Sequence, residues 1–123
     1  YEGIVFSHVT HVKKLLRNRE VPRSIRLSGG AANSDVWVQI FADALQIPVD
    51  VVGDKEQGAQ GAAMAAGIAA GIYKDYQEAI SRTVHITKTI NPRPEYKEIY
   101  EEKYATYRAV IDGLSKAWEH FKN

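Results

Sequence analysis

Two short β-branched runs stand on either side of a helical stretch and leave this part of the chain little conformational choice. In SIRLSGG, Ile25 and Leu27 flank Arg26 and the run stops at Gly29 and Gly30, the pattern of a short strand running into a tight turn. Val36, Ile40 and Ala44 then recur four apart, as do Trp37, Phe41 and Leu45, so both rows share one broad helical face. Pro48 closes that helix, and Pro48 to Val52 reads as a second, mostly apolar strand. The alternation predicts an α/β fold with a small sheet and packed helices. At 123 residues, 45% hydrophobic, the chain is long enough for one core, so a single domain over residues 1–123 is expected.

The flanking segments extend the alternation. Val5, Val9, Val12 and Leu16 mark an amphipathic helix ending near Asn18, with Lys13, Lys14 and Arg17 as a solvated basic end. GAQGAAMAAGIAAG predicts a helix of small residues stopped at Gly71. Asp75 to Arg82 reads as a further helix and TVHITKTI as a strand, after which NPRP breaks the chain. From Tyr96 to Phe121 apolar residues recur at helical steps, predicting one long final helix docked by its aromatic face.

Charge and composition exclude several functions. Lys+Arg 16 against Asp+Glu 15 gives a net charge of +1, with no global field for nucleic acid or an anionic membrane. There is no cysteine for disulfides or thiolate metal sites, and no apolar run is long enough to span a bilayer, so a cytoplasmic location is expected. His8 and His11 lie three apart without a third ligand and are read as surface or interface residues. The chain opens on Tyr1 with no preceding helix cap, which suggests a piece of something longer.

Two glycine-bearing junctions carry the chemistry. A strand that stops at Gly29-Gly30 and opens into a helix exposes backbone N–H groups and a partial positive charge, suited to a phosphate or a flat base. Ser34 or Asp35 can cap that helix, and Asn33 offers a donor and an acceptor at its lip. For an isolated glycine pair, a simple turn with caps is the better account of these residues, and the motif by itself is weak. Gly58 and Gly61 lie in the first turn of the Ala-rich helix, so a second bare helix start is available, and the two starts together would make a slot. The alternative is that Ala62, Ala66 and Ala70 only allow close packing on the sheet or a neighbouring helix. Neither a P-loop nor a dinucleotide fingerprint is present.

Taken in order, these pieces resemble the FGGY family of carbohydrate kinases within the actin-like, ribonuclease-H-like ATPase superfamily. EGIVF at Glu2 to Phe6 resembles the family's E-G-I-x-F helix, and LSGGAANSDVWVQIFAD its glycine turn followed by S-x-x-W-x-Q-x-x-A-D. LQIPV, EQGAQGAAMAAGIAAG and PEYKEIYEEKYATYR are similar to the later motifs. Ala31, where many members have a third glycine, and Gln57 depart from the pattern. Trp37 and Gln39 look closer to pentulose kinases, such as those for xylulose, than to glycerol kinase.

The resemblance implies the C-terminal nucleotide-binding portion of a two-domain enzyme that moves the γ-phosphoryl group of ATP, with Mg²⁺, to a sugar hydroxyl. It puts Gly29, Gly30 and Ala31 beside ATP, Asn33 or Ser34 near the adenine, and Gly58 and Gly61 on the opposite wall. The sugar would be bound through the missing N-terminal domain. The catalytic aspartate is implied upstream of Glu2, so no catalytic residue is expected here. Asp35, Asp43, Asp50 and Asp54 are read as caps and solvated charges. A severed domain should expose apolar patches and be capable of homo-oligomerisation. A non-catalytic assembly module and another actin-like ATPase are the rival readings.

Overall fold

The computed structural model describes residues 1–53 and 57–120. Helix α1 spans Glu2–Leu15, strand β1 Ile25–Leu27, helix α2 Asp35–Leu45 and strand β2 Val49–Val52. Helices α3 (Gln57–Ala69) and α4 (Tyr76–Thr83) precede strand β3 (Ile86–Ile90), and helices α5 (Lys97–Gly113) and α6 (Ser115–Glu119) close the order. Short 3₁₀ turns at Gly30–Asn33 and Pro94–Tyr96 lead into α2 and α5.

The three strands form one sheet in the order β1-β2-β3. β1 and β2 are parallel, with Ile25 opposite Val49 and Leu27 opposite Val51. β3 runs antiparallel to β2, placing Ile90 opposite Val49 and Lys88 opposite Val51. Because β1 and β2 are parallel and joined through α2, both carboxyl ends open on the same side of the sheet, where ligand crevices form in open α/β sheets.

Of the two predicted α2 rows, Phe41 is buried and Trp37, Ile40, Ala44 and Leu45 are half-buried against the core, while Val36 is exposed and the packed face is centred instead on Val38, Phe41 and Ala42. Val38, Phe41 and Ala42 of α2 join Val5 and Val9 of α1, Ala32, and Val49 and Val51 of β2 in one buried cluster. Burying each larger side chain contributes about 1.5–3 kcal/mol, which anchors α2 between the sheet and the α1/α5 pair. Gln46 ends α2 in the left-handed conformation (φ 54°) and donates from Nε2 to the Asp43 carbonyl at 2.7 Å, a local substitute for the usual glycine cap.

Four expectations change. The first helix stops at Leu15, with residues 16–18 in a turn. The final helix is interrupted at Leu114, directly after Gly113, whose backbone freedom weakens helix propagation. Its aromatic face docks through Tyr100, Tyr104 and Tyr107, all against Phe6 at centroid distances of 5.6–6.4 Å. Ile111 is half-buried, Leu114 and Trp118 are exposed, and Phe121 lies outside the described residues. The small-residue helix α3 packs chiefly on α4, and Ala62, Ala66 and Ala70 are exposed, so close packing through those alanines does not occur in this chain. Close approach occurs at Gly67, where a Cβ would lie 2.7 Å from the Tyr73 ring.

The fourth change concerns the carboxylates. Asp43 and Asp50 are buried, not solvated. Asp43 Oδ1 accepts the Arg93 backbone N–H at 2.8 Å and Gln39 Nε2 at 2.9 Å, while Oδ2 accepts Arg93 Nε and Nη2 at 3.0 and 2.6 Å. Bidentate, charge-assisted pairing of this kind is what permits a carboxylate inside a core. Asp50 accepts from the Ser24 and Thr89 hydroxyls, each at 2.6 Å, and so ties β2 to β3 and to the residue just before β1. Those hydrogen bonds, helped by Arg26 and opposed by burial, hold its pKa below the ordinary 3.8. Asp54 lies outside the described residues.

Candidate functional site

At the carboxyl ends of β1 and β2 lies a cleft of about 330 Å³ lined by Gly29, Gly30, Asn33, Gly53, Gln57 and Lys88, with Ala32, Val51, Val52 and Thr87 behind them. Gly29 has φ 83° and ψ −164°, a conformation that essentially only glycine adopts. It turns β1 sharply into the 3₁₀ segment, where Ala32 N–H donates to the Gly29 carbonyl at 3.0 Å. No atom lies within 4 Å of where a Cβ on Gly29 or Gly30 would sit, so their backbone faces open space. Asn33 is exposed and lines the same cleft.

The other wall starts where β2 ends. Gly53 N–H donates to the His85 carbonyl at 3.0 Å, and a Cβ on Gly53 would lie 2.5 Å from Thr87 Cγ2. A side chain at position 53 would therefore have to displace the Thr87 methyl group beside the register irregularity after Val51. Gln57, the first residue of α3, lines the same cleft, so the glycine turn and the start of the Ala-rich helix meet across one space.

The remaining predicted residues sit elsewhere. Ala31 packs against the hydrophobic cluster, so the methyl group that replaces a third glycine is taken up by the core. Ser34 caps α2, accepting the Trp37 N–H at 3.4 Å. Gly58 and Gly61 lie exposed on the first turns of α3 and outside the cleft lining. The sequence reading missed Gly53, Thr87 and Lys88. A lysine in an alternating strand carries no signal of its own, and the register that brings it to the cleft exists only in the folded sheet.

The profile of the C-terminal domain of the FGGY family of carbohydrate kinases matches residues 1–70. The chain belongs to the FGGY family of carbohydrate kinases. Within curated relatives it is 35% identical over 114 residues to L-xylulose/3-keto-L-gulonate kinase of Escherichia coli (strain K12), covering 93% of this chain and 23% of that one. Autoinducer-2 kinase of the same organism is 37% identical over 89 residues, 72% of this chain and 17% of the relative. The chain thus spans about a quarter or less of the length of these FGGY kinases. In solved structures, the ligand-bound xylulose kinase from Lactobacillus acidophilus superposes with a TM-score of 0.86 over 98% of this chain and 24% of that one, at 24% identity, a likeness of fold. The α/β arrangement is accordingly part of the actin-like, ribonuclease-H-like domain of FGGY kinases.

Proposed function

We propose that this chain is the nucleotide-binding portion of an ATP-dependent sugar kinase, a C-terminal piece of a two-domain enzyme acting on a ketopentose of the xylulose type. The observation that carries the proposal is the cleft at the carboxyl ends of β1 and β2, where bare backbone at Gly29 and Gly30 faces Gln57 across an open space. Backbone amides without a Cβ accept a phosphate chain or the edge of a base closely, and Asn33 can both donate to and accept from a purine. Gly58 and Gly61 extend the bare surface along α3 beyond the cleft lining and would meet a ligand only at its far end.

Transfer of a γ-phosphoryl group needs positioning, charge neutralisation and a carboxylate to take the acceptor proton. Asp35, Asp43 and Asp50 are each engaged, with Lys88, with Arg93, and with Ser24 and Thr89. None of the three is nominated as the base, and the proposal assigns that role to the upstream portion of the parent enzyme together with most of the sugar site. Among the described residues no three metal-ligating side chains converge, so Mg²⁺ would arrive on the phosphates of ATP itself. Among them, too, no helix is long and apolar enough to cross a membrane. A cytoplasmic location is proposed on the metabolic chemistry alone.

The test is a screen of ketoses, polyols and sugar acids for sugar-dependent ADP release by the full-length protein carrying this sequence. Turnover with a ketopentose is expected. A protein inert towards every acceptor would favour the assembly-module reading, in which the exposed alanine face of α3 is the contact surface.

A further inference from the structure

Lys88 is the single charged side chain among the described residues that line the cleft. It stands opposite Val51 in the β2–β3 register and so comes from β3, a strand that none of the glycine motifs includes. Its ammonium pairs with Oδ1 of Asp35, the first residue of α2. The two side chains are 36% and 77% exposed, and exposed pairs contribute little net stability because solvent competes for both charges. Asp35 has independent support from the partial positive charge at the start of α2, so releasing Lys88 does not leave that carboxylate stranded. A lysine on a flexible stem, beside backbone amides and without another charged side chain among the described lining residues, suits the oxygens of a phosphate chain.

We propose that Lys88 is a phosphate-binding residue of the cleft, held by Asp35 in the ligand-free protein and transferred to the phosphate chain of a nucleoside di- or triphosphate on binding. The inference rests on the nucleotide reading of the cleft and deepens it. It assigns the phosphates to the β3 side, and it makes Asp35 a competitor that weakens binding of any polyanion. A neutral nucleoside has nothing to exchange with Lys88 and feels neither residue.

The experiment uses the full-length protein and compares ADP with adenosine by titration calorimetry, for the parent protein and for Lys88→Met, Lys88→Arg and Asp35→Asn. Lys88→Met should weaken ADP about tenfold and leave adenosine unchanged, the loss of one charge-assisted contact. Lys88→Arg should keep most of the ADP affinity, and Asp35→Asn should tighten ADP while leaving adenosine alone. Equal weakening of ADP and adenosine by Lys88→Met, or ADP weakening by Asp35→Asn comparable with that of Lys88→Met, would mark a purely structural pair and overturn the proposal. Unchanged ADP binding in Lys88→Met, with the parent protein binding both ligands, removes only the Lys88 assignment. A parent protein that binds neither ligand removes the nucleotide reading and this inference together.

Discussion

Asp43, wholly buried on α2, is bound by both the backbone and the guanidinium of Arg93, fifty residues further along the chain. Arg93 in turn lies over the Tyr96 ring, 4.0 Å from its centroid, and its charged form is stabilised chiefly by the hydrogen bond to Asp43. Gln39 donates to both Asp43 and the Asn91 carbonyl, so the NPRP segment is clasped to α2 just before α5 begins. Asp43→Ala should lower stability, because the Arg93 backbone N–H and Gln39 Nε2 lose their shared acceptor while the half-exposed guanidinium can turn to solvent. In a double-mutant cycle with Arg93→Ala, chemical denaturation should show the double variant losing clearly less than the sum of the single losses.

Asp50 predicts a pH dependence. Its folded pKa lies below the ordinary 3.8, so its contribution is fully present above that value and is lost as pH falls through the lower folded pKa. Acid unfolding followed by circular dichroism should therefore begin at higher pH in Thr89→Val or Ser24→Ala, which remove the hydrogen bonds that depress it. An unchanged acid midpoint in both variants would show that Asp50 contributes nothing to acid resistance.

Gly29 is constrained by its backbone, not by space. Gly29→Ala meets no atom within 4 Å, yet it must adopt φ 83°, so a loss of about 1–3 kcal/mol is expected from strain alone. Thermal unfolding should detect it. A neutral outcome would mean that the turn rearranges.

Two glycines on one helix should respond with opposite signs. Gly61→Ala adds a methyl group in open space within α3 and should stabilise by about 0.5–1 kcal/mol through helix propensity. Gly67→Ala drives a Cβ to 2.7 Å from the Tyr73 ring and should destabilise despite the same propensity gain. Melting temperatures of the two variants decide it.

Adding ATP, or an analogue that cannot be hydrolysed, should shift the amide resonances of Gly29, Gly30, Asn33 and Gly53 more than those of Gly58 and Gly61, following the cleft lining. Shifts confined to α3 would place the ligand on the alanine face instead.

Much of the scaffold was legible because it rests on local pattern. The four-residue rows of α2, the glycine stop after Leu27 and the proline before β2 each act over a single turn or strand, and the folded chain keeps them. The errors come from long-range effects. Asp43 and Asp50 look like ordinary surface carboxylates in the sequence, because their partners Arg93 and Thr89 are distant in the chain and are brought close only by the sheet. Beyond Tyr107 the stripe holds its helical period as far as Leu114, yet Leu114 and Trp118 are exposed, and periodicity alone does not say which part of a helical face is covered. Lys88 was missed for the same reason as Asp50, since its place depends on strand register and not on any neighbouring residue.

Helix α2 bears Ser34 and Asp35 at one end and Asp43 at the other, separated by about 13 Å of hydrogen-bonded rod at 1.5 Å per residue. A rod that stiff transmits tilt. Under the nucleotide binding proposed above, a tilt set by the Gln39 and Arg93 clasp at Asp43 would reach the Asp35 end beside the cleft, so substitutions at Gln39 or Arg93 should alter nucleotide affinity although neither is among the described residues that line it.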